Sequence, residues 1–273
     1  MLLHKSGAKK RPFGFLVSAA FPFESQVSMQ YTKVPMPIRA SVRALKFARK
    51  SGLRLFGAQY PRNCTICGYT GRFFSYGFPL AADVLCPSCL SYERHRALAI
   101  CAAQEPLFEG KELLHFAPEP SLTAFIRSKG PKSYKTCDLF KPDVDLRIDI
   151  CNIDLPDQSF DLVLCLHVLE HVPDDRKAMS ELRRILRSSG MAIIMVPLEE
   201  GLDETYENPS IVSAADRLIH FGQEDHVRYY GRDLRDRLRG AGFSVREWVS
   251  KEPYVPKHGL KRGERVFLCT RVE

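Results

Sequence analysis

Four cysteines on the N-terminal side of the 273-residue chain form two Cys-x-x-Cys pairs. Cys64 and Cys67 make the first pair, Cys86 and Cys89 make the second, and 18 residues separate the pairs. Each pair can present two thiolates to one tetrahedral ion, and this spacing is typical of a zinc ribbon. Four thiolates leave no open coordination position, so the pattern predicts a structural zinc site. An iron–sulfur centre or a redox-active pair is the alternative.

The other cysteines do not form a pattern. The chain has nine cysteines in all, an odd number at uneven spacing, which argues against a disulfide framework. Scattered thiols in apolar surroundings suit a reducing compartment, so we expect a cytoplasmic protein. The five cysteines outside the pairs are Cys101, Cys137, Cys151, Cys165 and Cys269.

A second group of reactive side chains lies in the C-terminal half. The segment FDLVLCLHVLEHV at 160–172 contains His167 and His171, and a later polar segment contains Asp225-His226. An imidazole can act as a general base near neutral pH. His226 is the preferred candidate for the general base because its loop could close over a substrate, and His167 is the second candidate. For His226, a solvated loop histidine is the alternative, and His171 is expected to pack.

The elements that must position these residues follow from periodicity. From about residue 111 onward, short apolar runs alternate with helical patterns, which indicates a parallel sheet of βαβ units. The predicted strands are 112–117, 133–138, 145–150, 160–167, 190–197, 243–249 and 265–270. Helices are predicted at 121–129, 174–187 and 233–239. The last two strands are expected to pair antiparallel, and 198–228 is predicted to be a loop-rich insertion over the sheet's edge.

The stretch from 160 to 197 resembles class I S-adenosylmethionine-dependent methyltransferases. An acidic strand start, the HVLEHV core, an amphipathic helix, Gly190 and an apolar strand ending at Pro197 follow in the family's order. The resemblance covers about residues 111–272. It implies an α/β fold with a seven-stranded, mostly parallel, Rossmann-like methyltransferase sheet, here with a small N-terminal zinc-ribbon module. The cofactor, S-adenosyl-L-methionine, would lie over the carboxyl ends of the strands.

Three further motifs resemble one bacterial-type subgroup with an attached zinc module. They are ERHR at 93–96, HFAPE at 115–119 and FGQEDHVRYYG at 221–231. We expect the first to pack the module against the main domain, with substrate contact as the alternative. In or near the third motif, four residues would suit a sugar or an anionic acceptor, or equally the packing of the insertion: Arg217, Arg228, Tyr229 and Tyr230.

The resemblance also implies cofactor contacts at the strand ends. Asp138 ends the second predicted strand, where a carboxylate can accept hydrogen bonds from both ribose hydroxyls. Asp149 matches the family position that contacts the adenine amino group, with Ile150 against the ring. Leu166 and His167 end the fourth strand and are expected to face the cofactor. The alternatives are a strand-end cap for Asp138 and a surface-turn carboxylate for Asp149.

One loop departs from the family pattern. The first strand normally leads into a glycine-rich loop, but residues 115–121 contain no glycine. Ala117 is small enough for close backbone approach, and Pro118 restricts the turn. Glu119 is expected to accept hydrogen bonds from the methionine ammonium of the cofactor. A helix-capping role for Glu119, or a cofactor site that has decayed, is the alternative.

The charge divides the chain into a basic N-terminal part and a slightly acidic remainder. Residues 1–62 carry a net charge of +11 and residues 63–273 carry −3, although the whole chain is +8. We predict a basic, partly disordered extension at 1–59 with an amphipathic helix at 37–56, a zinc module at 60–100 and a methyltransferase domain at 105–273. Such an extension could contact nucleic acid, anionic lipid or an acidic partner, or be a solvated tail.

The leading functional hypothesis is O- or N-methylation of a small molecule or a glycan. An RNA methyltransferase that holds RNA with the zinc module and the basic extension is the second hypothesis. A non-catalytic zinc-ribbon protein on a degenerate methyltransferase scaffold is the third. The chain has no apolar run of 18 residues, so no transmembrane segment is expected.

Overall fold

The computed structural model describes residues 60–76 and 81–272. All of these residues lie in the second of two compact units, Phe47–Glu273. The first unit, Met1–Lys46, lies outside the described residues, as does the whole predicted basic extension at 1–59 with its amphipathic helix. In the described residues, no helix is both long and apolar enough to cross a membrane.

The cysteine-containing module consists of two small hairpins and one helix. The strands are β1 (Arg62–Asn63), β2 (Thr70–Gly71), β3 (Phe74–Tyr76) and β4 (Ala81–Leu85), and the helix is α1 (Glu93–Ala102). Strand β1 pairs antiparallel with β2, and β3 pairs antiparallel with β4. Helix α1 is buried along most of its length and joins the module to the rest of the unit.

Nine further strands and five further helices make up the main domain. The strands are β5 (Glu112–Phe116), β6 (Ser133–Asp138), β7 (Leu146–Arg147), β8 (Phe160–Leu166), β9 (Leu186–Met195), β10 (Tyr206–Glu207), β11 (Arg228–Tyr229), β12 (Phe243–Val249) and β13 (Arg265–Arg271). The helices are α2 (Pro120–Arg127), α3 (Asp175–Ile185), α4 (Ala214–Phe221), α5 (Leu234–Gly240) and α6 (Tyr254–His258). A short 3-10 turn, Leu169–His171, follows β8.

Seven of these strands form one sheet in the order β12-β13-β9-β8-β5-β6-β7. Neighbouring strands are parallel from β9 to β7, and only β13 runs antiparallel to its neighbours. The strand order reverses beside β5, so the carboxyl ends of β5 and β8 meet at a topological switch point, where such sheets bind ligands. The predicted fold class and the antiparallel pairing of the last two strands are confirmed.

Both faces of the sheet are covered by apolar layers. Adjacent residues on one strand contribute to opposite layers: Leu113 and Ile193 lie in one buried cluster, and Leu114 and Ile194 lie in the other. Side chains alternate across a strand, so a strand that is buried on both faces must be continuously apolar. This explains why the central strands are short apolar runs in the sequence.

Three predicted elements differ from the structure. The strand predicted at 145–150 pairs only over Leu146–Arg147, because Asp145 instead accepts hydrogen bonds from the backbone N–H and hydroxyl of Thr136 at 2.7 and 2.8 Å. Strand β9 begins at Leu186 rather than 190, and α3 ends at Ile185. There a bulged register pairs Leu186 with Phe160.

The expectation of a loop-rich insertion at 198–228 is wrong in part. The segment contains helix α4 and strand β10, and β10 pairs antiparallel with β11. In α4 only Phe221 is buried, whereas Ile219 is 78% exposed. The helix spans only eight residues, fewer than the window over which helical periodicity can be recognised.

Candidate functional site

The four cysteines converge on one point. The Sγ atoms of Cys64 and Cys89 are 3.7 Å apart, as are those of Cys67 and Cys86, and all four sulfurs lie within 4.8 Å of one another. Four thiolates at the corners of a tetrahedron around one zinc ion would be about 3.8 Å apart. The donor set and its spacing therefore fit a structural zinc ion held by all four side chains.

Tight turns and nearby hydroxyls shape this cluster. Each cysteine pair is followed by a residue in the left-handed region, Gly68 with a φ of 75° and Leu90 with a φ of 59°. The Ser91 hydroxyl lies 3.2 Å from the sulfurs of both Cys64 and Cys89. Burial would raise the pKa of Cys67, but hydrogen bonds from the Tyr69 backbone and from neighbouring side chains lower it to about 7. These contacts favour the thiolate of Cys67, which is the zinc-binding form, whereas burial raises the pKa of Cys86 and of Cys89.

A buried arginine fastens the module to the main domain. Arg96 of α1 is fully buried, and its guanidinium lies 4.6 Å above the ring of Phe73. It donates at 2.7–2.9 Å to four backbone carbonyls, those of Val84 and Ser91 in the module and of His258 and Gly259 in the main domain. Arg96 thus has the packing role that we expected for this motif.

Two further members of that motif, Arg94 and His95, reach the loop after β5. Arg94 donates to Glu119 Oε1 at 2.6 Å, and His95 Nε2 donates to Glu119 Oε2. Burial lowers the pKa of His95, so its neutral ring keeps Nδ1 as an acceptor for the backbone N–H of Tyr92. Burial would raise the pKa of Glu119, but His95 and Arg94 together lower it to about 2. Glu119 is therefore an ionised link between helix α1 and the strand ends.

Glu119 occupies the N-cap position of α2, yet its side chain makes no capping hydrogen bond there. Helix capping, one alternative for this residue, is thus not observed. Its contact with the ammonium of the cofactor remains a prediction.

Two non-glycine residues at neighbouring strand ends have a left-handed backbone. Ala117 follows β5 with a φ of 52°, and His167 follows β8 with a φ of 54°. Their N–H groups donate to the carbonyls of Cys137 at 2.8 Å and Met195 at 2.7 Å. Such conformations are uncommon for residues with a Cβ and concentrate at functional sites. Ala117 and the adjoining Pro118 thus make the sharp turn after β5, at the place where the family pattern has a glycine-rich loop.

Asp138, predicted to bind the ribose, ends β6 as expected, whereas Asp149, predicted to bind the adenine, lies two positions beyond the end of β7. Asp138 Oδ1 accepts from the backbone N–H groups of Phe140 at 2.7 Å and Lys141 at 2.9 Å. Asp149 Oδ1 accepts from the N–H of Cys151 at 2.8 Å. One oxygen of each carboxylate is thus used in a local turn, and cofactor binding by both residues remains a prediction. Ile150 and Leu166 are both buried beside these turns.

A histidine and a buried glutamate form a pair at the end of β8. His167 Nδ1 lies 3.2 Å from Oε1 of Glu170, a side chain that is almost fully buried. Burial would raise the pKa of Glu170, but the hydrogen bond from His167 and the charges of His167 and His171 lower it. The carboxylate therefore holds Nδ1–H and leaves Nε2 of His167 as the basic atom.

Several buried polar atoms near this pair have no hydrogen-bond partner among residues 60–76 and 81–272. They are His167 Nε2, Glu170 Oε2, Glu93 Oε2 and Arg94 Nε. Burial raises the pKa of Glu264, on which the charges of His167, Glu93 and Arg94 also act. Buried polar groups are almost always paired, so a group of unpaired ones between α1 and the strand ends indicates a ligand site.

Sequence reasoning did not assign Glu93, Glu170 or Glu264 to the site. Glu93 and Glu170 stand inside the ERHR and HVLEHV motifs, so a signal was present. Nothing local marks Glu264, which comes near His167 and Glu93 only because β13 enters the sheet between β12 and β9.

His226 is buried rather than solvated, so that alternative is wrong. Its ring packs edge-on against His171 with centroids 4.7 Å apart, and its Nδ1 lies 3.2 Å from the carbonyl of Phe221. Its Nε2 contacts the amide of Gln223. Burial and the charge of His171 lower the pKa of His226, so the ring is neutral at pH 7. Its role as the base remains a prediction.

Two of the residues expected to suit an acceptor, Arg228 and Tyr230, instead hold the insertion in place. Arg228 donates to the carbonyls of Leu169 and Pro173 at 2.8 and 2.9 Å, and to Glu207 at 2.9 Å. The hydroxyl of Tyr230 donates to Asp175 at 2.9 Å. Both side chains are buried, so they support the walls of the site rather than its interior.

Comparison with known proteins agrees with this geometry. Residues 107–194 match the family model of a methyltransferase domain. This chain carries a methyltransferase domain. The predicted resemblance and the predicted enzyme class are thereby confirmed, and the match spans β5 to β9 with the loops that hold Glu119, Asp138 and His167.

Individual relatives of this methyltransferase are distant. A 54-residue stretch is 44% identical to an uncharacterized protein of Methanocaldococcus jannaschii, covering 20% of this chain and about a quarter, 24%, of that protein. The YcgJ protein of Bacillus subtilis is 14% identical with a TM-score of 0.46, over 66% of this chain and 99% of its own. The 1,6-didemethyltoxoflavin-N1-methyltransferase of Burkholderia thailandensis, solved with 1,6-didemethyltoxoflavin and S-adenosylhomocysteine, is 20% identical with a TM-score of 0.48, over 66% and 79%.

Proposed function

We propose that this methyltransferase transfers the methyl group of S-adenosylmethionine to an oxygen or a nitrogen of a small molecule or a glycan. One observation carries the proposal: unpaired buried polar atoms of His167, Glu170, Glu93 and Arg94 gather at the carboxyl ends of β5 and β8. A decayed or purely structural domain would gain stability by losing such groups, because each costs about 1–3 kcal/mol when unpaired.

The cofactor would lie across the strand ends. The turn at Ala117 and Pro118 would admit its methionine end, and Glu119 would face the ammonium group. Asp138 would accept from the ribose hydroxyls, and Asp149 would accept from the adenine amino group. Ile150, Leu166 and the backbone of His167 would pack around the base. The bound cofactor supplies a methyl group activated by the positive sulfur.

His167 is our choice for the general base when the acceptor is a hydroxyl. Glu170 fixes Nδ1–H, and Nε2 is left free to take the acceptor's proton as the methyl group transfers. His226 is less suited because both of its ring nitrogens already have contacts with Phe221 and Gln223. The remaining catalysis is the in-line placement of the acceptor against the methyl group.

The aromatic residues of the zinc module favour a small acceptor over RNA. RNA-binding surfaces stack bases on exposed aromatic rings. Phe73 is buried beneath Arg96. Tyr76 packs against Tyr92 with ring centroids 5.4 Å apart, although it is 49% exposed. The module thus uses most of these rings for its own packing. Its zinc ion would be structural and would keep α1 in place beside the cofactor loop.

Calorimetry with the zinc-loaded full chain tests the proposal. We expect saturable binding of S-adenosylhomocysteine, weakened at least tenfold by Asp138→Ala. Asp154→Ala is the matched control, because Asp154 is an exposed aspartate on the loop before β8. Thermal unfolding of each variant separates lost binding from lost folding. A folded wild-type chain that does not bind S-adenosylhomocysteine would refute the enzyme assignment.

Filter binding with RNA at two salt concentrations tests the second hypothesis. Phosphate contacts make RNA binding steeply salt-dependent, so an RNA methyltransferase should bind well at low salt. At both salt concentrations, we expect no RNA binding that is strong enough to inhibit methyl transfer. Strong low-salt binding together with methylated RNA would replace our proposal with the RNA hypothesis.

A further inference from the structure

We propose that Glu170, His171 and His226 form a second metal site, which binds a divalent transition-metal ion apart from the four cysteines. One ligand atom from each residue lies within 4.8 Å of the others. Two of the residues belong to the turn after β8, and the third comes from the insertion 55 positions later in the chain. Two imidazoles and one carboxylate are a donor set that such ions prefer.

The carboxylate of Glu170 lacks a partner on one side. Oε1 accepts from His167, but Oε2 is buried and has no hydrogen-bond partner among the described residues. The side chain is about 2% exposed, so water cannot readily solvate this oxygen. A bound cation would satisfy Oε2 and neutralise the charge, which is expensive to leave unpaired in the interior.

The nearest arginine does not fill that role. The guanidinium of Arg228 is buried close by, but it donates to the carbonyls of Leu169, Val172 and Pro173 and to the carboxylate of Glu207. The main chain of Glu170 instead binds the insertion, because its carbonyl accepts from Val227 N–H at 2.9 Å. The insertion is thus held against the turn while the Glu170 carboxylate stays available.

Both imidazoles are oriented as metal ligands usually are. His171 Nδ1 lies 3.3 Å from Asp225 Oδ2, and His226 Nδ1 lies 3.2 Å from the carbonyl of Phe221. Ligating histidines commonly donate one ring N–H to a carboxylate or a carbonyl, which leaves the other nitrogen for the ion. Here Nε2 is the atom that each ring can offer. The amide of Gln223, which contacts His226 Nε2, would turn aside when an ion binds.

The donor types and the location narrow the class of ligand. Imidazole suits zinc, cobalt, iron or nickel rather than magnesium, which prefers oxygen ligands. Three protein ligands leave a coordination position open, as in sites where a metal binds a substrate oxygen. Because Glu170 also contacts His167, that position would lie beside the acceptor. This last step rests on the proposed function, whereas the metal site itself does not.

Cobalt(II) titration of the zinc-loaded full chain tests the site. We expect one added equivalent of cobalt, with the weak visible absorption of a nitrogen and oxygen site and without thiolate charge-transfer bands. His226→Gln and Glu170→Gln should each weaken this binding at least about 100-fold, since both remove a direct ligand. His220→Gln is the control, because His220 lies on α4 outside the cluster.

Two results would overturn the proposal. One is a chain loaded with one equivalent of zinc that takes up no cobalt, and the other is equal cobalt binding by wild type and His226→Gln. Circular dichroism of each variant shows whether it is folded, and His171→Asn provides a third ligand change if Glu170→Gln unfolds. Binding of S-adenosylhomocysteine to the same samples distinguishes the proposals: if it persists without cobalt uptake, only the metal site fails.

Discussion

The cysteine cluster and the cluster around Glu170 bring polar side chains together in opposite ways. The four cysteines lie within 26 positions, in two short turns. Glu170 and His226 are far apart in sequence, as are His167 and Glu264. Each pair is close in space only because the insertion or β13 returns to the strand ends. The first arrangement is local and is recognisable as a motif, whereas the second depends on the completed sheet.

The two regions also differ in what burial does to them. In the module, each thiol has three similar neighbours, and one ion could satisfy the whole set. At the strand ends, the buried polar atoms differ in type and several have no partner among the residues described. In a structural metal site, all of the coordinating groups are paired with the ion. In a catalytic site, some polar groups become paired only when the ligands bind.

The largest effect should come from breaking the cysteine cluster. Cys86→Ser should lose the zinc ion and unfold the module, because on the order of 10 kcal/mol of metal binding is coupled to folding in such sites. Metal content by mass spectrometry and thermal unfolding measure the outcome. Cys151→Ser is the matched control, since Cys151 is a half-buried thiol outside the cluster. Unchanged zinc content in the folded Cys86 variant would contradict four-thiolate binding.

The next effect should come from the strand-end cluster. His167→Gln should slow methylation of a hydroxyl acceptor by about 10²- to 10⁴-fold, because it removes the general base. Its affinity for S-adenosylhomocysteine should stay within about threefold of wild type, since catalysis and not binding is lost. Single-turnover transfer from labelled cofactor measures the rate, and His220→Gln is the control. An unchanged rate would show that His167 is not the base.

Removing the contact of Arg96 between the cysteine-containing module and the main domain should have a somewhat smaller effect. Arg96→Met leaves four buried carbonyls without their donor and should lower the free energy of unfolding by about 3 kcal/mol. Urea titration followed by circular dichroism gives this value. Arg239→Met serves as the reference, since Arg239 is exposed and pairs only with Asp236 on the same helix. Equal stability of the two variants would mean that Arg96 does not fasten the module.

The smallest effect should depend on pH. Burial raises the pKa of Glu264, so ionisation of this carboxyl destabilises the fold at neutral pH. Glu264→Gln should therefore be more stable than wild type at pH 7–8. This gain should shrink as the pH falls through the raised pKa and vanish below the ordinary value of 4.5. Thermal unfolding of both proteins from pH 8 to pH 5 measures it, and a gain that does not change with pH would exclude the ionisation as its cause.

Much of the fold could be predicted because its signals are local. The apolar runs at β5 and β8 coincide with the observed strands, since side chains buried on both faces leave few polar positions. Helix α4 was missed because it spans only eight residues, too few to establish a helical period. The strand at 145–150 was overestimated because Asp145 binds Thr136 and ends the pairing.

The sequence by itself determined the cysteine cluster, the parallel sheet and the family, because each is encoded by residues close together in the chain. Only the tertiary structure placed Arg94 and His95 on Glu119, and His226 against His171. It also left His167 Nε2 and Glu170 Oε2 buried without partners in the described part of the chain. Contacts between distant segments, and the burial that changes a pKa, exist only once the sheet has brought those segments together.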